Sequence, residues 1–343
     1  MKSKKYEIND IELEITDLGS RRKVSIKGAH VLPRSKRNPK PNFNCQLSEI
    51  ETELNIDTII LIAKKKGKYL RDEIERGENP NYMLKPLQKM VNLYEIKFND
   101  KKVLDFGCGA GAFYLNLHNL GAHDIIGVDV DFELVEIAKN RLSDFQINND
   151  KVVRIDYVNK NNRLYFADGE FDIVWAHAVL EHVFPNERIF VLAELWRVLK
   201  KDGIMIIDAT PNRLWIKENH TTDLFFLNYL PLDLVIRIAK KYAQNIPQEQ
   251  SKEIILSRGI RGCTYWSIKN NLSNSICVNN LQRKKELFLW MDNWRKESDS
   301  RLTKFIKEAY YYVMLSIDPI LRYLNVPQTA FLPWLSLIFI KKK

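Results

Sequence analysis

Residues 103–131, with the sequence VLDFGCGAGAFYLNLHNLGAHDIIGVDVD, constrain the fold more than any other stretch of the chain. An apolar run meets Asp105 and breaks into a glycine-rich loop, which a segment with helical apolar spacing follows. A second apolar run then ends at Asp129. Glycines between a strand and a helix let the backbone approach a ligand, and a carboxylate at the next strand end can accept hydrogen bonds from a ribose. The stretch therefore predicts the nucleotide-binding crevice of a doubly wound sheet.

The spacing leaves two classes of nucleotide ligand open. Gly107, Gly109 and Ala112 satisfy the relaxed dinucleotide fingerprint, and Asp129 follows Gly107 by 22 residues, which is close to the spacing expected for NAD. Asp105, two residues before the first glycine, stands where a dinucleotide fold keeps an apolar residue. A carboxylate there suits a ligand with a cationic ammonium group. Alternatively, Asp105 only caps the glycine loop.

Composition and pattern predict a globular α/β protein. Apolar segments with strand and helix character alternate between residues 102 and 212, which implies a parallel sheet covered on both faces. The four cysteines are far apart without a CxxC pair, so we expect no metal site, no disulfide framework and a reducing compartment. The first residues lack the apolar core of a signal peptide, and FLPWLSLIFI is about half of the roughly 20 residues that span a bilayer. We therefore expect a cytoplasmic protein.

Four motifs in this order resemble the class I S-adenosylmethionine-dependent methyltransferases: VLDFGCGAG, IIGVDVD, FDIVWAHAVLEHV and LAELWRVLKKDGIMIIDATPNRLW. The resemblance covers residues 84–215 well and the final strand more loosely. It implies a Rossmann-like, mostly parallel sheet of seven strands with helices on both faces, and S-adenosyl-L-methionine as cofactor. It also implies that Asp129 holds the ribose. The residues implied at the methionine end of the cofactor are Asp105, Gly107, Gly109, Gly111, Ala176 and His177.

The segment after the third predicted strand departs from the family pattern. The family usually has an acidic or small residue there that contacts the adenine, whereas this chain has YVNKNNRL. The adenine contact therefore falls on Asn159, Lys160 or Asn161. An asparagine can bond both the donor and the acceptor of an adenine edge, and we choose Asn161.

Methyl transfer needs a positioned nucleophile and a group that takes its proton. AHAVLEH lacks the Asn/Asp-Pro-Pro-aromatic motif and the Pro-Cys nucleophile of DNA methyltransferases, so we do not expect a nucleic-acid substrate. Three of the six histidines, His177, His182 and His220, lie in this segment or soon after it. Because histidine titrates near neutral pH, His220 and His182 are the candidate catalytic bases. Alternatively, His182 packs and His220 is a surface histidine, and Glu181 is expected as a structural hydrogen-bonding partner.

The pattern divides the chain into an N-terminal extension, residues 1–83, and a methyltransferase domain, residues 84–343. The extension is predicted to contain a hairpin over residues 6–28 with its turn at Gly19 and Ser20, a basic linker over residues 33–41 and a helix over QLSEIETELNIDTIILIAKKK, residues 46–66. Residues 213–270 are predicted to form a helical insert, which serves as a substrate lid or as an ordinary covering element. Helices precede the last strand.

The charge pattern favours an acidic partner. The formal net charge is +10, and KSKK, RRK, RSKRNPK and AKKKGK all lie before residue 70. Such a surface suits acidic partners, namely nucleic acid, anionic lipid headgroups or phosphorylated substrates, or is merely solvated. The segment LTKFIKEAYYYVMLSIDPILRYL is predicted as a core helix broken near Pro319. Its aromatic and lysine-rich pattern could instead rest on a membrane surface, so we allow peripheral membrane association.

The predicted function is methyl transfer from S-adenosylmethionine to an oxygen, or less favourably to nitrogen or carbon. The acceptor classes are a small metabolite, a glycan or a lipid-linked intermediate. Two alternatives are a nicotinamide-dependent oxidoreductase and a non-catalytic cofactor-binding protein of the same fold.

Overall fold

The computed structural model describes residues 3–9, 11–28, 47–243, 245–296 and 301–342. The chain forms two compact units, residues Met1–Asp156 and Tyr157–Lys343. The predicted linker at residues 33–41 and Cys45 lie outside the described residues. The predicted division of the chain at residue 83 stays a prediction.

A four-stranded antiparallel sheet begins the first unit. Its strands, in spatial and chain order, are Ser3–Ile8 (β1), Ile11–Asp17 (β2), Arg22–Lys27 (β3) and Ser48–Thr52 (β4). The predicted turn at Gly19 and Ser20 joins β2 to β3 and is confirmed. The prediction of one strand for the first arm of the hairpin is wrong. Asn9 takes a left-handed φ of 52° and reverses the chain, so two strands form there. Residues 48–52 were predicted as helix, and they instead pair with β3.

Three helices follow, and the first two share a core with this sheet. They are Ile56–Lys66 (α1), Leu70–Glu78 (α2) and Leu84–Leu93 (α3). The alternating residues Ile11, Leu13 and Ile15 of β2 lie in one buried cluster that also contains Ala110 and Ile137. The N-terminal sheet therefore packs on the nucleotide-binding part of the first unit.

The cations of the N-terminal strands are paired across the sheet. Lys23 lies 2.9 Å from Glu49, and Lys27 lies 2.6 Å from Glu12. Arg21 contacts Glu53 at 3.2 Å. The expected basic surface is thus balanced by carboxylates in the described strands, whereas RSKRNPK lies outside the described residues.

Seven strands form the second sheet. In chain order they are Lys102–Phe106 (β5), Asp124–Asp129 (β6), Val152–Arg154 (β7), Phe171–His177 (β8), Leu199–Pro211 (β9), Ser275–Cys277 (β10) and Trp334–Lys341 (β11). Their spatial order is β10-β11-β9-β8-β5-β6-β7. The pairs β5–β6, β6–β7 and β8–β9 are parallel, whereas β11 runs antiparallel to both neighbours. The prediction of a mostly parallel, seven-stranded, doubly wound sheet is confirmed.

Helices follow three of the parallel strands, as in a Rossmann-like fold. They are Ala112–Asn119 (α4) after β5, Phe132–Asp144 (α5) after β6 and Arg188–Val198 (α6) after β8. The α5 helix begins at Asp131, whose side chain accepts hydrogen bonds from the backbone N–H groups of Glu133 and Leu134. This cap fixes the chain direction just after Asp129.

Short helices fill the predicted insert: Leu232–Tyr242 (α7), Lys252–Ser257 (α8) and Tyr265–Lys269 (α9). Leu227, Val235, Ala239 and Ile255 belong to a small core within this segment. The insert thus carries apolar packing of its own.

The last helices are Arg283–Lys296 (α10), Arg301–Ser316 (α11) and Asp318–Tyr323 (α12). The predicted break near Pro319 is confirmed, because α11 ends at Ser316 and Pro319 stands in the first turn of α12. The core prediction is wrong for one face of these helices, since Phe305 and Tyr323 are exposed and Met314 and Leu321 are buried. No helix in the described part of the chain is long and apolar enough to cross a membrane.

Candidate functional site

The loop between β5 and α4 has the backbone conformation that glycine permits. Gly107, Gly109 and Gly111 have φ values of 77°, 54° and 80°, which other residues rarely adopt. A Cβ on Gly109 would meet open space, whereas a Cβ on Gly111 would lie 3.0 Å from the Cα and Cβ of Ala138. Gly109 therefore keeps space open beside the loop, and Gly111 lets α5 pack closely.

Asp129 holds this loop at the end of β6. Its Oδ2 accepts a hydrogen bond from the Gly109 N–H at 2.9 Å, and its Oδ1 accepts one from the Asp131 N–H at 2.9 Å. A carboxylate oxygen accepts two hydrogen bonds, so both oxygens keep acceptor capacity. The carboxylate is thus oriented by backbone groups and can accept from ribose hydroxyls.

Asp105 lies buried on β5 and makes no hydrogen bond to any described residue. Burial raises the pKa of Asp105 well above its usual value, and the charge of Asp129 adds to this rise. Because Asp105 has no bond to the loop, it does not cap it. A buried carboxyl without a partner fits a ligand that brings an ammonium group, as the sequence suggested.

The remaining predicted cofactor residues lie in the second unit. Ala176 and His177 end β8, and the His177 Nδ1 lies 3.1 Å from the Asp208 Oδ2. Burial raises the pKa of Asp208, but the hydrogen bond and charge of His177 outweigh burial and lower it overall. Asn161 is exposed in a loop where its N–H donates to the Oδ1 of Asn159 at 2.8 Å. Contacts of these residues with a cofactor stay predictions.

Both predicted catalytic histidines lie together in the second unit. The rings of His182 and His220 are 5.3 Å apart in an edge-on arrangement. The His220 Nε2 lies 3.9 Å from the Oε1 of Glu181, which is fully buried. One ligand-type atom from each of these three residues lies within 4.8 Å of the others. We call Glu181, His182 and His220 the histidine cluster.

Hydrogen bonds define which nitrogen of each ring carries the proton. The Thr221 hydroxyl donates to the Arg258 carbonyl at 3.0 Å, so its oxygen accepts from the His220 Nδ1 at 3.2 Å. The His182 Nδ1 lies 2.7 Å from the Ser257 carbonyl, which only accepts. In both neutral rings the proton is thus on Nδ1 and the lone pair is on Nε2. For His220, this lone pair is on the atom nearest to Glu181.

The position of His220 depends on Glu218 in its own loop and on Gly259, 39 residues further along the chain. The buried Glu218 accepts hydrogen bonds from the N–H groups of His220 and Thr221, at 2.9 and 3.0 Å, and so folds the loop. Gly259, with φ +85°, lies against the cluster. A Cβ on Gly259 would be 2.7 Å from the His220 Cε1 and 3.1 Å from the Glu181 Cγ. A side chain there would displace the imidazole.

The charge state of the cluster follows from burial. Burial raises the pKa of Glu181 to about 8, so this carboxyl is mostly protonated at neutral pH. The cluster thus sets two imidazole rings beside a mostly neutral carboxyl, and imidazole is a group that can take a proton near neutral pH. Imidazole and carboxylate are also metal ligands. The expectation of no metal stays a prediction.

Glu181 was predicted to have a structural role, whereas Glu218, Thr221 and Gly259 were not predicted to contribute to the site. The sequence did carry a signal for Glu218 and Thr221, because the glutamate of ENHTT precedes two threonines whose hydroxyl groups can form hydrogen bonds within a loop. The glycine of SRGIRG carried a weaker signal for a positive φ. Their meeting at His220 involves residues 181–259, which no local pattern connects.

Comparisons with known proteins show which family this chain is similar to. A family model described as a methyltransferase domain matches residues 104–207. A ubiquinone biosynthesis O-methyltransferase of Pelagibacter ubique is 30% identical over 44% of this chain and 66% of its own length. One of Coxiella burnetii is 28% identical over 67% of this chain and 96% of its own length. The chain thus spans about two thirds of the first relative and nearly all of the second.

A solved structure of a Pyrococcus horikoshii protein is 28% identical with a TM-score of 0.33, over 43% of this chain and 60% of that one. The matched residues 104–207 contain the glycine loop, Asp129 and strands β6 to β8. The predicted cofactor, S-adenosylmethionine, agrees with a methyltransferase domain. The chain therefore belongs to the class I S-adenosylmethionine-dependent methyltransferases and is an enzyme of that class.

Proposed function

We propose that this enzyme transfers a methyl group from S-adenosylmethionine to a hydroxyl oxygen of a small-molecule acceptor. The observation that carries the proposal is the His220 imidazole, whose tautomer directs the Nε2 lone pair toward the histidine cluster. A hydroxyl acceptor needs a base for its proton, and the cluster supplies one. The names of the O-methyltransferase relatives support the choice of oxygen.

The first unit would hold the cofactor through three groups. Asp105 would accept hydrogen bonds from the ammonium group, Asp129 would accept them from the ribose hydroxyls, and the open side of Gly109 would let the backbone approach. S-adenosylmethionine supplies a methyl group that its sulfonium already makes electrophilic. The protein therefore has to orient the acceptor, exclude water and take one proton.

The histidine cluster would perform the proton transfer. The His220 Nε2 would take the proton of the acceptor hydroxyl during the transfer, in which S-adenosylmethionine would supply the methyl group and leave as the neutral thioether. The Nδ1–H keeps its bond to the Thr221 hydroxyl, which holds the ring orientation. The imidazolium would then pass its proton to solvent, and His220 would return to its neutral form.

Among the three predicted acceptor classes, we propose a lipid-linked intermediate. The relatives are named for ubiquinone biosynthesis, and ubiquinone is a lipid. Small metabolites and glycans are the alternatives that the acceptor assay separates, because they partition into the aqueous phase.

The test uses methyl-labelled S-adenosylmethionine and a fractionated cell extract. We expect label to enter an organic-soluble product as an ether that survives mild base. His220→Ala should lower the rate by about 10²–10⁴-fold with little change in cofactor affinity, because the base acts only in the transfer. The rate of the parent enzyme should rise with pH through the range where histidine titrates, and the variant should lose this rise.

His118→Ala is the matched control, because His118 lies on α4 in the first unit. It should leave the rate and the pH profile unchanged. Label on nitrogen or carbon, or an unaltered pH profile in His220→Ala, would contradict the proposal.

A further inference from the structure

The two helices before the last strand expose an apolar face. At helical spacing along α11, Leu302, Phe305, Ile306, Ala309 and Val313 are exposed. On and just after α12, the exposed apolar residues are Ile320, Tyr323 and Leu324. Phe305 is 70% exposed and Tyr323 is 90% exposed. We call these eight residues the apolar stripe, and exposed apolar residues grouped in this way mark an interaction surface.

The charges beside the apolar stripe have one sign. The exposed residues between 301 and 325 include three cations, Arg301, Lys304 and Arg322, and no carboxylate. Asp318 is buried, where it accepts from Arg283 at 2.6 Å and from Arg322 at 2.7 Å. Glu308 is half-buried. Among the exposed described residues between 301 and 325, the charged side chains are therefore all cations.

We propose that the apolar stripe of α11 and α12 docks this enzyme on an anionic membrane surface. Phe305, Ile320 and Leu324 would enter the boundary between headgroups and acyl chains, and Arg301 and Lys304 would lie among the anionic headgroups. Aromatic and apolar residues beside cations, without exposed acids, match this interface. A second copy of the chain would bring the same positive charges together, so the membrane is the better occupant.

The stripe belongs to the same unit as the histidine cluster. On another side of α11, the ring of Tyr310 lies 5.4 Å from that of Trp215, and its hydroxyl donates to the Phe331 carbonyl at 2.7 Å. Trp215 stands in the segment that leaves β9 and leads to His220. The purpose of docking, access to a lipid-linked acceptor, rests on the proposed function, but lipid binding itself does not.

The test measures sedimentation with vesicles of phosphatidylcholine alone and with added phosphatidylglycerol, at two salt concentrations. The parent protein should bind the anionic vesicles more strongly, and less so at high salt. The triple variant Phe305→Gln, Ile320→Gln, Leu324→Gln should bind at least about tenfold more weakly to the anionic vesicles. The double variant Arg301→Gln, Lys304→Gln should lose about fivefold per charge on anionic vesicles only.

A matched control replaces exposed apolar residues elsewhere. Leu47 and Ile276 are 64% and 48% exposed, and Leu47→Gln with Ile276→Gln should leave vesicle binding unchanged. All variants should keep the thermal midpoint and the affinity for S-adenosylhomocysteine, so a loss of binding cannot reflect unfolding. The vesicle result also stands apart from the labelling assay, which tests methyl transfer.

Three outcomes would overturn the docking surface. The first is a parent protein that does not bind anionic vesicles, and the second is a triple variant that binds them as the parent does. The third is complete loss of binding in the triple variant Lys36→Gln, Arg37→Gln, Lys40→Gln, which would assign the contact to the N-terminal basic segment. A parent dimer that the stripe variant dissociates, without vesicle binding, would assign the stripe to a second copy.

Discussion

At the scale of single residues, Glu181 links stability to pH. Its pKa rises from 4.5 to about 8 on burial, so the folded state binds the proton more tightly than the unfolded chain does. The stabilisation is fully present below pH 4.5 and is lost as the pH rises toward 8, by about 1.4 kcal/mol per pH unit. Glu181→Gln keeps a neutral side chain, so the advantage of its free energy of unfolding over the parent should grow by at least about 2 kcal/mol from pH 5 to pH 8.

Urea unfolding at pH 5 and pH 8 measures this difference. Glu194→Gln is the control, because Glu194 is also buried, but the hydrogen bonds from Arg197 and the Leu164 N–H and the charges of Arg197 and Arg163 together outweigh burial and lower its pKa. A lowered pKa confers stability that is lost only as the pH falls through it, so this variant should show no such gain between pH 5 and 8. If the free energy of unfolding changed equally with pH in Glu181→Gln and in the parent, Glu181 would be ionised in the folded state.

Gly259 tests the geometry around His220. In Gly259→Ala, the new methyl group would lie 2.7 Å from the His220 Cε1, so the ring must move. We expect turnover to fall by about 10²-fold, because a shift of about 1 Å at a reacting group has that effect. The affinity for S-adenosylhomocysteine, measured by calorimetry, should not change.

Gly121→Ala is the matched control for Gly259→Ala. Gly121 also has a positive φ, of 96°, but its Cβ would meet nothing within 4 Å. This variant should lose about 1 kcal/mol of stability from backbone strain and keep its turnover. Equal losses of turnover in both variants would mean that strain, rather than contact with His220, explains the effect.

At the scale of elements, Arg141 ties α5 to α2 and to the glycine loop. Its guanidinium is buried and donates to the Glu73 Oε1 at 3.0 Å and to the Ala110 carbonyl at 2.7 Å. Arg141→Met leaves Glu73 buried without its partner, which should cost about 3–5 kcal/mol in urea unfolding. The double variant Arg141→Met, Glu73→Leu should recover most of this loss. If the free energy of unfolding of Arg141→Met equalled that of the parent, the hydrogen bonds of Arg141 would not stabilise the fold.

Local patterns explain which elements the sequence could predict. The β5–loop–α4 unit was predictable because its glycines, its apolar strand and its helical spacing are adjacent in the chain. Residues 48–52 were assigned to a helix because the apolar run of α1 follows directly, and only pairing with β3 makes them a strand. The outward face of α11 has the same apolar spacing as a core helix, so burial could not be read from the pattern.

At the scale of the whole molecule, the order of four motifs predicted the sheet and the cofactor class. The histidine cluster could be predicted only in part, since His182 and His220 were candidates but their contact depends on the fold of the insert. The charge of the N-terminal surface could also be predicted only in part. The formal net charge of +10 suggested a basic N-terminal surface, yet the described N-terminal strands pair their cations with acids.

We propose that the glycine loop and Asp129 bind S-adenosylmethionine rather than a nicotinamide cofactor. Calorimetry with S-adenosylhomocysteine and with NADH, on the parent, Asp129→Ala and the control Asp124→Ala, tests it most directly. Asp124 starts the same strand and is exposed. We expect the parent and the control to bind S-adenosylhomocysteine and not NADH, and Asp129→Ala to bind it about one to two orders of magnitude more weakly. Binding of NADH alone, or an unchanged affinity in Asp129→Ala, would contradict the claim.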